Sequence, residues 1–362
     1  MDLTQPLFEL LLSGPDRPPT SASAQHEAIA RAGADRWARA LDALAPHKVF
    51  PLLTHRLSAS GLLDGVPAAS RERLVALHTE VRGRNTTLLL TLANVLRATR
   101  AKNEQVLLLK GILFADSYYP DPSTRPMSDL DLVAQPGRDE VLFEILGEAG
   151  FRPSLHHVVQ AHSVTFLNKE GVFCDAHRTL PLFAREPWSQ IARPVTLKRV
   201  RGVQALALEP NAMIAHLAAH MAVHAPDLGF VLLWIIDLAF ALRHAGLELD
   251  ARRIHRLCGS PTAWALFLRI VGLLERAGER LPLELTRAAR LLPPLTLGAV
   301  LRARRLVPWG LPAPLGWARL VAHQLGIHRS ERPEPQGSDL VLWPLDKLAT
   351  FVAPPLGRVL GR

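Results

Sequence analysis

Two aspartates separated by one residue, in Ser128-Asp129-Leu130-Asp131-Leu132-Val133, carry the clearest chemical potential in this 362-residue chain. Side chains alternate between the two faces of a strand, so Asp129 and Asp131 share one face while Leu130 and Leu132 take the other. Two carboxylates held side by side repel each other unless a cation sits between them. Hard divalent ions such as Mg2+ take oxygen ligands, and a substrate phosphate usually completes their shell. The chemistry on offer is a metal–nucleotide site.

A third acid on a neighbouring strand turns such a pair into a two-metal site. One ion then holds a triphosphate and the other activates an attacking hydroxyl. Asp175 is the candidate, because Phe173, Asp175 and His177 share a face in Gly171–Thr179. Phosphoryl and nucleotidyl transfers rest mostly on positioning and charge neutralisation, which three carboxylates and two cations supply. Lys110-Gly111 stands at a strand-to-helix turn, where glycine admits close approach of a phosphate and the helix N-terminus offers N–H groups. The pattern is not a Walker A loop, since no G-x-x-x-x-G-K-[ST] occurs. Arg125, four residues before Asp129, is placed to clamp a phosphate or to pair with an acid. His177 is placed to orient Asp175 or to touch the nucleotide.

The order Leu109-Lys110-Gly111, Tyr119, Arg125-Pro126-Met127-Ser128-Asp129-Leu130-Asp131-Leu132 and then Asp175-Ala176-His177 resembles the bacterial uncharacterised nucleotidyltransferase family. That family belongs to the superfamily of DNA-polymerase-β-type nucleotidyltransferases. The resemblance runs from about residue 5 to 245 and is most specific over 107–133. It implies a polymerase-β-like α+β core, a small mixed sheet with helices. It also implies Mg2+ (two ions, with Mn2+ as a substitute) on Asp129, Asp131 and Asp175, and an NTP whose nucleoside monophosphate is transferred with release of pyrophosphate. Lys110, Gly111, Arg125, Ser128 and His177 form the nucleotide-binding set. Members of the family are said to lie in peptide natural-product and polysaccharide gene clusters, so a small molecule or peptide is the expected acceptor. Two positions depart from the wider superfamily: Ile112 follows the glycine where Gly or Ser is usual, and the spacing from Gly111 to Asp129 is longer. The spacing resembles the toxin-type enzymes, which gives two alternatives: modification of tRNA or protein, and a scaffold that binds nucleotide without turnover.

Residues 1–104 read as helical, with segments at Leu7–Leu12, Ala24–Ala45, Val49–Leu57 and Ser70–Thr99. Residues 105–208 read as the α/β core. Strands are expected at Val106–Leu109 and Leu130–Ala134, with helices at Ile112–Tyr118 and Arg138–Ala149. Two hairpins follow, Ser163–Leu167 with Val172–His177, and Val195–Val200 with Val203–Leu208. Residues 209–292 return to helices, at Ala212–Ala225 (stopped by Pro226), Leu228–Ala245, Asp250–Cys258, Pro261–Ala277 and Leu283–Leu292. Residues 293–362 form a Pro-rich extension with helices expected at Leu297–Leu306 and Pro314–Leu325.

One helix face carries His216, His220 and His224 at i, i+4 and i+8. The glutamate of a His-Glu-x-x-His protease is missing and no further zinc ligands accompany them, so the face reads as polar packing. Asp237, in an apolar helix, needs a partner among these histidines or an arginine, because a lone buried charge is costly.

Composition sets the frame: 48% hydrophobic and 21% charged residues describe a folded protein. The net charge of +9 comes almost wholly from arginine, and it bears on non-specific association with anions, not on a site. Basic groups at Arg193, Lys198–Arg201 and Arg302–Arg305 lack the aromatic interleaving of an RNA surface, so nucleic acid is not favoured as a partner. Cys174 and Cys258 are too few for a disulfide framework. Neither a secretory leader nor a run of roughly 20 apolar residues is present, and the expected location is the cytoplasm.

Overall fold

A computed structural model describes residues 3–13, 22–154, 163–180, 183, 186–200, 202–228, 231–293 and 295–305. In chain order the helices are α1 Thr4–Leu12, α2 Ala22–Ala30, α3 Ala34–Leu44, α4 Phe50–Ala59, α5 Ala68–Ala101, α6 Lys110–Ser117, α7 Asp139–Glu148, α8 Trp188–Ile191, α9 Pro210–Leu228, α10 Leu232–Ala245, α11 Ala251–Cys258, α12 Pro261–Arg276, α13 Leu283–Ala289 and α14 Leu297–Arg305. The strands are β1 Val106–Leu108, β2 Asp129–Ala134, β3 Arg152–Pro153, β4 Ser163–Leu167, β5 Phe173–His177, β6 Ala192–Leu197 and β7 Val203–Leu208. This is a mixed α+β protein. Its described residues fall into two compact units, one within 3–86, 118–126 and 210–305, the other within 87–117 and 127–209.

The first unit is helical. α9 packs against α10, α11 and α12, and α1 against α2, α3, α4 and α10. Local signals set several helix ends: Asp250 accepts from the backbone N–H groups of Arg252 and Arg253, and Ser260 accepts from Ala263 ahead of Pro261. The helix expected over Ala24–Ala45 is instead two, α2 and α3. Extended Gly33 (φ −71°, ψ 168°) ends one and starts the other, as fits the poor helix propensity of glycine. α9 runs to Leu228 and does not stop before Pro226. Expectations for Pro314–Leu325 lie outside the described residues.

The second unit holds one seven-stranded mixed sheet, ordered β3-β4-β5-β2-β1-β7-β6. β2 and β5 are parallel central neighbours, β1 is antiparallel to β2 and parallel to β7, and hairpins complete both edges. The β4–β5 turn closes through Asn168, whose side chain accepts from the Val172 N–H at 2.8 Å, and through Gly171 at φ +77°. Leu130, Leu132, Cys174 and Ala176 are fully buried on one side of the central strands. α6 and α7 pack on β2, and α7 also covers β5.

The last hairpin departs from the expected Val195–Val200. β6 begins at Ala192 and carries Pro194 opposite Leu206, which is tolerated because β6 is a sheet edge. It ends at Leu197, since the backbone N–H groups of Lys198 and Arg199 donate to buried Asp116 at 3.0 and 2.8 Å. Among the described residues no helix is long and apolar enough to cross a membrane.

Candidate active site

Register brings the acids together. Asp131 on β2 lies directly beside Asp175 on β5, and Asp129 lies two residues back on the same face of β2. Burial first, then the charges of Asp131 and Asp175, push the Asp129 carboxyl up to about 6. The same acids, behind burial itself, hold the thiol of intervening Cys174 well above its ordinary range, so it is an inert core group.

Each carboxylate has a side-chain donor. Asp131, 7% exposed, receives two on one oxygen: Lys110 Nζ at 3.4 Å and His177 Nε2 at 3.3 Å from Oδ1. Asp129 Oδ1 accepts from Ser128 Oγ at 2.9 Å. Asp175 Oδ1 accepts from Thr165 Oγ1 at 2.6 Å. The sheet thus places five expected residues, Asp129, Asp131, Asp175, Lys110 and His177, around one face. Thr165 was not among them: counting outward from the four-residue Asn168–Gly171 turn pairs it with Cys174, and the observed register, in which Leu167 faces Phe173, sets it against Asp175 instead.

The turn at β1–α6 is more strained than its glycine suggests. Lys110 itself adopts the left-handed region (φ 42°). An L-residue pays roughly 1–2 kcal/mol there. Leu109 N–H donates to the Asp131 carbonyl at 3.1 Å, fixing the turn to the acidic strand. Ile112, in the departing position, is buried in the core together with Leu113 and Phe114.

Arg125 belongs to the helical unit. Its guanidinium grips Asp237 of α10 with two bonds, Nε–Oδ1 2.9 Å and Nη2–Oδ2 2.6 Å, and Tyr119 donates to the same Oδ1 at 2.8 Å. Arg125 and Asp237 are 6% and 1% exposed. Asp237 therefore finds its partner in an arginine. The Asn85 side chain donates to the backbone carbonyls of Pro122 and Arg125, at 2.6 and 2.8 Å. His216, His220 and His224 stack along α9, with His220 and His224 packed on Trp234 at ring distances of 5.1 and 6.2 Å.

Among the described residues no three His, Cys, Asp or Glu side chains already converge as an ion cage. The donor set nonetheless fits Mg2+ or Mn2+. Its atoms are hard carboxylate oxygens, and Asp131 and Asp175 stand side by side on adjacent strands with Asp129 on the same face of β2. An open cavity of about 1220 Å3 in the same unit, with Asn94, Arg152 and Lys169 among its walls, contains none of the three aspartates.

The sequence profile of a family described as uncharacterised nucleotidyltransferase matches residues 33–275. No curated protein matches the chain. Among solved structures, that of the antibiotic-resistance factor ANT(2'')-Ia is 17% identical, with a TM-score of 0.38, over 54% of this chain and 98% of its own. An antigenic nucleotidyltransferase-like protein from Paracoccidioides brasiliensis is 14% identical, with a TM-score of 0.35, over 62% of this chain and 95% of its own.

Proposed function

Because the chain belongs to the uncharacterised nucleotidyltransferase family, we propose that it is a Mg2+-dependent enzyme with a polymerase-β-type core. It moves a nucleoside monophosphate from an NTP to a hydroxyl or phosphate of a small-molecule or peptide acceptor. The observation that supports this most is the pairing of Asp131 with Asp175 beside Asp129 on adjacent parallel strands.

Asp129, Asp131 and Asp175 are the residues to hold divalent ions, which when bound supply charge neutralisation of the triphosphate and a more acidic acceptor hydroxyl. Lys110 is the cation nearest the acids on this face and is suited to the leaving phosphates. Ser128 and His177 fix Asp129 and Asp131, and Gly111 leaves room beside the α6 N-terminus for phosphate oxygens. Asp175 is positioned to take the acceptor proton. The acceptor oxygen bonds to the α-phosphorus while the bond to the bridging oxygen breaks and pyrophosphate departs. Arg125, held by Asp237, serves this reading by fixing the segment that leads into β2.

The test is incubation with each labelled NTP against small-molecule, peptide, RNA and lysate acceptors, with pyrophosphate release as the readout. Wild type should turn over only with a divalent ion. Asp131→Asn should lose activity by at least about a hundredfold, since several kcal/mol of charge stabilisation go with it. Unchanged transfer by Asp131→Asn sinks the proposal. Nucleotide–Mg2+ binding without any pyrophosphate would point to the scaffold role instead.

A further inference from the structure

Three residues stand in one row across the sheet: Asp131 on β2, Asp175 on β5 and Thr165 on β4. Thr165 donates its hydroxyl to Asp175 Oδ1 at 2.6 Å, shorter than the Ser128, Lys110 and His177 bonds to the other two aspartates at 2.9, 3.4 and 3.3 Å. A β-branched side chain on a strand has few rotamers, so the hydroxyl direction is set by the backbone of β4. A short bond to an ionised acceptor is also among the stronger neutral-donor contacts.

The donors differ in one respect that matters for a cation. Lys110 carries a positive charge and repels an ion arriving at Asp131. The Thr165 hydroxyl is neutral, so its bond remains compatible with an ion on the acidic face. It ties one oxygen of Asp175 and leaves Oδ2 as the atom for a metal or an acceptor proton.

We propose that Thr165 is a positioning residue that pre-sets the Asp175 carboxylate for divalent-cation binding. The proposal rests on the metal reading above. Partners of metal ligands of this kind commonly change affinity by 10–100-fold when lost.

The experiment is Mn2+ titration of the full chain by electron paramagnetic resonance, without nucleotide, alongside thermal melting. Thr165→Val keeps the shape and removes the donor; it should weaken Mn2+ binding about 10–100-fold, and Thr165→Ser should recover most of the loss. In an Asp175→Asn background, Thr165→Val should add nothing further. If Thr165→Val proves too unstable to titrate, Thr165→Ala reads the same bond. Wild-type affinity in Thr165→Val, with binding lost in Asp131→Asn, overturns the role of Thr165 and leaves the metal site standing. Wild-type affinity in Asp131→Asn overturns both.

Discussion

Arg125 and Asp237, 112 residues apart in sequence, close a two-bond ion pair almost sealed from solvent, with the Tyr119 hydroxyl on the same carboxylate. Burial, then the Asp237 charge, holds the Tyr119 phenol well above its ordinary range, so it stays a donor. Breaking a buried pair by removing one partner strands the other charge, at about 3–5 kcal/mol. Asp237→Ala should lose about that much stability in urea unfolding. The double variant Asp237→Leu with Arg125→Met should recover much of it.

Asp129 gives a pH signature. Its carboxyl titrates near 3.8 unperturbed and near 6 in the fold. Between those values the folded chain keeps a proton that the unfolded chain has lost. Stability therefore falls as pH rises through that window, and the deficit is complete by pH 7. Asp129→Asn removes it. With EDTA present the variant should be more stable than wild type at pH 7, by up to about 3 kcal/mol, and nearly equal to it at pH 4. Adding Mn2+ should raise the wild-type melting temperature and leave the variant's almost unchanged.

Lys110 separates backbone strain from charge. Lys110→Gly relieves the left-handed conformation, whereas Lys110→Ala keeps the strain; the glycine variant should be more stable by about 1 kcal/mol. Both lose the ammonium, so both should raise the KM for NTP by about tenfold or more, the worth of one charged hydrogen bond. Steady-state kinetics beside thermal melts would show the two effects moving independently.

Asp116 predicts a purely structural loss. Its buried carboxylate receives two backbone N–H groups that end β6, and a hydrogen bond to a charged group contributes about 1.5–3 kcal/mol. Asp116→Ala should destabilise the chain by about 3–6 kcal/mol in denaturant titration.

Much of the acidic face was legible because strand alternation is a short-range rule. Asp129 and Asp131 announce a shared face by themselves, and the Asn168–Gly171 turn announces the hairpin that carries Asp175. The parallel pairing of β2 with β5 is a long-range fact that no local pattern encodes, and the register between them is what sets Asp131 against Asp175. Arg125 illustrates the other limit. Its charge and its nearness in sequence to Asp129 left both a phosphate and an acid open, and the acid it pairs with, Asp237, lies 112 residues further along the chain. Thr165 and Asp116 were overlooked for a related reason. A single hydroxyl or carboxylate has no periodicity, and its importance appears only once its neighbour across the sheet or turn is known.

The alternation of the chain between its two units bears on its synthesis. The polypeptide leaves the helical unit after Thr86, returns for Tyr118–Pro126, leaves again, and rejoins it from Pro210. Translation therefore delivers every strand of the sheet before α10 exists. Arg125 emerges long before Asp237 and must wait, as an uncompensated cation, until the ribosome has added more than a hundred residues. The nascent chain can assemble its acidic face first and latch the preceding segment last, so a stop codon anywhere before Asp237 should yield a sheet whose entry loop was never fastened.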